Sequence, residues 1–117
     1  LGQTASMTEV LDRLFAAEND RDWRTLETLL HPQIEWTLVG PITTIIRGRE
    51  AYLKRLKEAY DNTPDAHFEL QRSQSNGAGL VVTELLDNRG DVSVDVFDVR
   101  DGQVVREWEF LLGDSGR

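Results

Sequence analysis

The hydrophobic pattern of this chain changes period once, near Pro64, and that change constrains the fold more than any other feature. Before it, apolar residues recur every three to four positions; after it, they alternate. Val10, Leu11, Leu14, Phe15 and Ala17 form one helical stripe, with Ser6 or Thr8 as its cap. Trp23, Leu26, Leu29 and Leu30 form a second, capped by Asp20, and His31-Pro32 ends it because the residue before a proline avoids the helical region. Ala51, Tyr52, Leu53, Leu56, Ala59 and Tyr60 form a third, closed by Asn62-Thr63-Pro64. Between the second and third helices, Ile34, Trp36 and Leu38 alternate with Glu35 and Thr37, which predicts a short strand; residues 42–47 read as a loop or short edge strand before Gly48.

Beyond Pro64 the turn signals Asn76-Gly77, Asn88-Arg89-Gly90 and Asp101-Gly102 separate four strands, the last three over 79–87, 91–100 and 103–112. Helices gathered in the first half and antiparallel strands in the second specify an α+β class, not a doubly wound sheet. The expected architecture is a cone-shaped, curved antiparallel sheet with three N-terminal helices, enclosing a deep pocket. One domain is expected over 7–112. Residues 1–6 read as a disordered or extraneous leader, and 113–117 as a mobile polar tail.

Composition removes several functions. A chain of 117 residues supports one core. With 13 basic and 21 acidic residues the net charge is −8, which argues against a nucleic-acid partner held by phosphate contacts. The absence of cysteine excludes disulfides, thiolate metal sites and a cysteine nucleophile. No apolar run approaches the roughly 18 residues of a membrane span, and no secretory signal is evident, so a cytoplasmic protein without membrane contact is expected. His31 and His67 stand far apart, so no metal site is expected. Neither a glycine-rich phosphate loop nor a nucleophile elbow is present, and no cofactor is implied.

The surplus acid has an address. Residues 1–60 carry eight basic and nine acidic residues, whereas residues 61–117 carry five and twelve. Several of the latter lie on apolar strands: Glu84 and Asp87, Asp95, and Glu107 and Glu109 flanking Trp108. A carboxyl in an apolar pocket has a raised pKa and can exchange protons near neutral pH; a carboxylate on the wet face of a strand is simply a solvated charge. Strict alternation puts Val104, Arg106, Trp108 and Phe110 on one face of the last strand and Val105, Glu107, Glu109 and Leu111 on the other. Patterning alone would bury the Trp108 face. Both faces carry apolar residues, and a sheet apolar on both sides needs cover on both. A homodimer through the outer face, with Trp108 and Phe110, is the expected cover.

Several short segments carry a resemblance. Asn19-Asp20-Arg21-Asp22-Trp23, Leu30-His31-Pro32-Gln33-Ile34-Glu35-Trp36, Arg47-Gly48-Arg49-Glu50-Ala51, the run Val96 to Val104, and Glu107-Trp108-Glu109 resemble the nuclear transport factor 2-like superfamily over about residues 7–112. That resemblance implies a cone-shaped α+β domain with an apolar pocket, and points Glu109 into the pocket and Trp108 outward. Three enzymatic branches compare differently. Limonene epoxide hydrolases use two aspartates bridged by an arginine; Asp87 and Glu109 match the aspartates, but Leu85 stands at the arginine, and Trp36 and Leu38 stand near a tyrosine and an asparagine. Ketosteroid isomerases place a neutral aspartic acid where Asp95 stands, but their base falls at Thr37 or Leu38. Polyketide cyclases use one acid on the last strand, at the place of Glu109, with Glu107 where many relatives carry histidine.

The resemblance implies Glu109 as acid/base, Asp95 as neutral donor or second acid, and Asp87 as orienting partner. Trp36, Leu38, Tyr52, Leu85, Phe97 and Glu107 would line the ligand, a small apolar molecule. The function expected is carboxylate acid/base chemistry on an apolar cyclic or polyketide-like substrate. Non-catalytic binding of a hydrophobic ligand, or a dimeric interaction module, are the alternatives.

Overall fold

A computed structural model describes residues 2–114, and side chains over 7–113. Helix α1 spans Gly2–Asp20, α2 Trp23–Leu29 and α3 Arg49–Asn62; strands are β1 Leu30–Val39, β2 Thr44–Arg47, β3 Phe68–Ser75, β4 Leu80–Asp87, β5 Asp91–Arg100 and β6 Gln103–Asp114. The α1 backbone begins inside the expected leader, and β6 runs on into the expected tail; Leu1 and residues 115–117 of those segments lie outside the described residues. No described helix is long and apolar enough to cross a membrane.

One six-stranded sheet runs in the order β2-β1-β6-β5-β4-β3. The last four strands form the expected antiparallel meander, but the sheet is not antiparallel throughout, because β1 joins β6 in parallel. A parallel pair needs a long crossover, and everything from β2 to β5 supplies it. The helix caps also differ from expectation. Asp20 ends α1, and Asp22 caps α2 by accepting from the Thr25 N–H and hydroxyl. The second helix stops at Leu29, and His31-Pro32 already lies in β1. Pro32 falls within the register break between Leu30 and Glu35, where its missing N–H costs no ladder bond.

The helices cover one face of the sheet. Phe15 meets Phe68 and Phe97 edge to face, at centroid distances of 5.5 and 5.7 Å. Around them Leu11, Leu14, Leu26, Leu30, Ile34 and Val104 are almost wholly buried. Asn19 ties α1 to the edge strand β3 as another strand would, its side chain exchanging two hydrogen bonds with the Phe68 backbone at 2.9 and 3.0 Å. Gly48 turns β2 into α3 at φ 95°, a left-handed angle that favours glycine, and its N–H donates to the Ile34 carbonyl. These ties fasten the helix layer to β3 and β1, and a cavity lies between the helices and the sheet.

Candidate active site

One irregularity in β6 decides which acids enter the cavity. Val99 pairs with Val104, but the next pair is Asp98 with Arg106, so Val105 is an extra residue. Such a bulge reverses the alternation beyond it. Val104 is buried against the helices, and after the bulge Glu107, Glu109 and Leu111 take the inner face while Trp108 and Phe110 point outward. Pairing then brings Asp95 of β5 opposite Glu109, and Phe97 opposite Glu107. Inward Thr83 flanks Asp95 from β4.

The cavity holds about 310 Å³. Apolar walls come from Phe15, Leu38, Leu56, Phe68, Leu85 and Leu111. Within them the polar groups form a chain. The Tyr52 hydroxyl donates to Glu107 Oε1 at 2.5 Å, and Glu107 shares a hydrogen bond with Asp95. Asp95 Oδ1 accepts from the Ser93 hydroxyl at 2.8 Å. Glu109 Oε1 accepts from the Trp36 indole at 3.1 Å, and the Trp36 ring leans on Tyr52 with centroids 4.6 Å apart. Asp95, Glu107 and Glu109 each bring a carboxyl oxygen to within 4.8 Å of the others.

Three carboxylates this close cannot all be ionised in an apolar cavity. Asp95 and Glu107 are only 3% and 4% exposed, and burial drives both pKa values up. Glu107 rises further, since it faces the charge of Asp95 and donates the shared proton. Glu109 is pushed up to about 8, first by burial and then by the charges of Asp95 and Glu18; the Trp36 hydrogen bond and Arg55 pull the other way. The same three side chains are the group that could offer oxygens to a cation, but donors from Tyr52 and Trp36 already hold Oε1 of Glu107 and of Glu109. What this arrangement does chemically is keep protons on carboxyl groups near neutral pH.

All nine residues singled out from the sequence line this cavity. They do not form one group. Asp87 lines the cavity from the end of β4, and its Oδ1 accepts from the N–H groups of Arg89 and Asp91, so that oxygen braces the β4–β5 turn. Glu84 points to the outer face and pairs with Arg72 at 3.5 Å. Sequence reasoning missed Glu18, Arg55, Tyr60 and Ser93, which also line the cavity. Glu18 carried a readable signal: it follows Leu11, Leu14 and Phe15 at helical spacing, so it lies on the buried stripe of α1.

The SnoaL-like domain, as a family model, matches residues 11–107. No curated protein matches the chain. Among solved structures, Bal32a from a soil-derived mobile gene cassette superposes with a TM-score of 0.84 at 22% identity, covering 94% of this chain and 92% of its own. IdmH of Streptomyces antibioticus, a candidate polyketide cyclase, gives 0.80 at 22% identity, covering 91% of each chain. An LEH-like epoxide hydrolase of M. tuberculosis gives 0.72 at 20%, covering 92% of this chain and 83% of its own. At these identities the likeness is one of fold.

Proposed function

The chain belongs to the SnoaL-like domain family, with its nuclear transport factor 2-like cone, and from that premise we propose that it is a cofactor-independent enzyme acting on an apolar cyclic or polyketide-like molecule by carboxyl acid/base chemistry. One observation carries this reading: Glu109, with Oε1 held by Trp36, reaches an apolar cavity and keeps its proton to about pH 8. A positioned acid with a pKa near the working pH transfers protons most effectively. Asp95 and Glu107 serve as a proton-sharing pair behind it. Among its relatives by fold, the candidate cyclase and the epoxide hydrolase suggest different chemistries. The residues favour the first. Arg55 is the one basic side chain among the residues lining the cavity, and Leu85 occupies the place expected for a bridging arginine.

A thermal-shift screen of small apolar ketones, epoxides and polyketide-like compounds, followed by assay of every hit for conversion, tests the reading. A ligand at a hundred times its Kd adds about 2.7 kcal/mol, or roughly 10 °C in a domain of this size. Hits that are all returned unchanged would establish a binding domain instead.

A second observation supports a homodimer. On the outer face Thr37, Trp108, Val96 and Val82 lie in register across four strands, with Val39, Phe110 and Val94 in the next row. Trp108 and Phe110 are only partly covered and Val82 is exposed. Sedimentation equilibrium at micromolar concentration is expected to give twice the chain mass, and Trp108→Glu to give monomer. A wild-type monomer refutes the dimer.

A further inference from the structure

Glu18 enters the cavity from the helix layer, facing the acids of the sheet. Its Oε2 accepts from the Tyr60 hydroxyl at 2.5 Å, and no described residue donates to Oε1. Tyr60 is itself fixed. The Arg21 guanidinium lies 3.7 Å from its ring centroid and donates to the carbonyls of Glu18, Asn19, Pro64 and Ala66. Arg21 adopts φ 58°, a conformation that costs a non-glycine residue about 1 kcal/mol or more, and these five contacts hold it there. The junction of α1, α3 and β3 thus fixes one oxygen of a carboxyl and leaves the other to the cavity. A general base needs that arrangement: orientation by a neighbour, and a free lone pair within reach of a bound molecule.

We propose that Glu18 is a second proton-transfer group, the base that works against Glu109 as acid on a carbonyl compound lying between the helix wall and the sheet. The inference rests on the acid/base reading of the pocket and adds both the partner and the substrate class, an enolisable apolar ketone. The step balances without a further reactant. Glu18 carboxylate takes a proton from the carbon beside the carbonyl, and that C–H electron pair becomes the C=C bond of the enol. The C=O π pair moves to oxygen, which takes the proton of Glu109. Glu18 ends protonated and Glu109 ionised; return of the protons to the same or another atom completes exchange, isomerisation or ring closure. Burial raises Glu18 to about 7 and Glu109 to about 8, so between those pH values Glu18 is ionised and free to accept a proton while Glu109 still carries one to give. The charge of each carboxylate is felt within the same cluster, for Glu18 acts on Glu109 and Asp95 acts on Glu18.

The probe is β-tetralone, an apolar bicyclic ketone, in D₂O, with hydrogen–deuterium exchange at its benzylic α-carbon followed by proton NMR. Wild-type protein is expected to accelerate exchange, and Glu18→Gln and Glu109→Gln each to cut the enzymatic rate by 100-fold or more. The glutamine amide oxygen still accepts from Tyr60, so the fold survives. Exchange lost in Glu109→Gln but kept within threefold in Glu18→Gln overturns the role of Glu18 alone. No acceleration by wild type overturns the acid/base reading and this inference with it. A substrate-free measurement stands beside these: the ¹³C-labelled carboxyls of Glu18 and Glu109 are expected to titrate near 7 and near 8, and that of Glu109 lower in Glu18→Gln, which removes the charge that raises it. An ordinary carboxylic midpoint for Glu18, or a Glu109 midpoint that Glu18→Gln leaves unmoved, overturns the proposal.

Discussion

Glu109→Gln is expected to lower turnover of a substrate identified by the ligand screen by about 10²–10⁴-fold, the usual contribution of a positioned general acid or base. The loss should appear in kcat more than in KM, because glutamine keeps the size of the side chain and still accepts from the Trp36 indole, which sits 3.1 Å from Oε1. What glutamine lacks is the transferable proton. At neutral pH the wild-type carboxyl already carries that proton, being raised to about 8. The exchange is therefore neutral for neutral, and the folded state should lose little. The wild-type rate should fall as pH rises through about 8, where the acid ionises. Unchanged turnover in the variant would refute Glu109 as the working acid. A pH profile lacking that alkaline limb would instead assign the rate-limiting step elsewhere.

The helices, the strand order of the meander and the address of the surplus acids were legible because periodicity and turn residues are local signals. Two features were not, each for a physical reason. The β1–β6 pairing depends on where a crossover lands, which no window of sequence encodes; it nonetheless aligns Leu38 with Glu109 and Trp36 with Glu107. The bulge at Val105 reverses parity within one strand, so Val104 and Glu107 share the inner face although strict alternation separates them. Alternation alone would have put Trp108 inside; only the family resemblance gave the observed orientation. Asp87 shows the limit of such transfer. It stands where a relative keeps a working aspartate, yet its Oδ1 is engaged by two backbone N–H groups of a turn. Glu18 is the converse case. Its place on the stripe of α1 was visible, but the meaning of a carboxyl on that stripe required Tyr60, which lies 42 positions away.

Thermal stability is expected to fall as pH rises from about 5 to about 8, opposite to the trend in proteins whose carboxylates are stabilised by ion pairs. Glu18 and Glu109 ionise near 4.5 in the unfolded chain, but only at about 7 and about 8 in the folded one. Between those values the folded state binds more protons than the unfolded state, so each step up in pH favours unfolding. Their contribution is fully present below about 4.5, declines through the window, and is gone above about 8. Asp95 and Glu107, also raised, add to the same slope. Asp22 has the opposite sign, since its bonds from Thr25 lower its pKa; its contribution is lost only in stronger acid and leaves the window untouched. A full pKa unit is worth about 1.4 kcal/mol, and the acids interact, so their separate shifts do not add. A decline on the order of 3–5 kcal/mol, or 10 °C and more in Tm, is expected. Glu109→Gln should flatten the curve across this window and raise Tm toward its alkaline end above wild type, because glutamine has no proton to lose on unfolding. Scanning calorimetry of both proteins at fixed ionic strength reads this directly. A wild-type Tm that is flat or rising from pH 5 to 8 would mean that the pocket acids ionise as they do in water, and both the raised pKa of Glu109 and the acid role built on it would fall together.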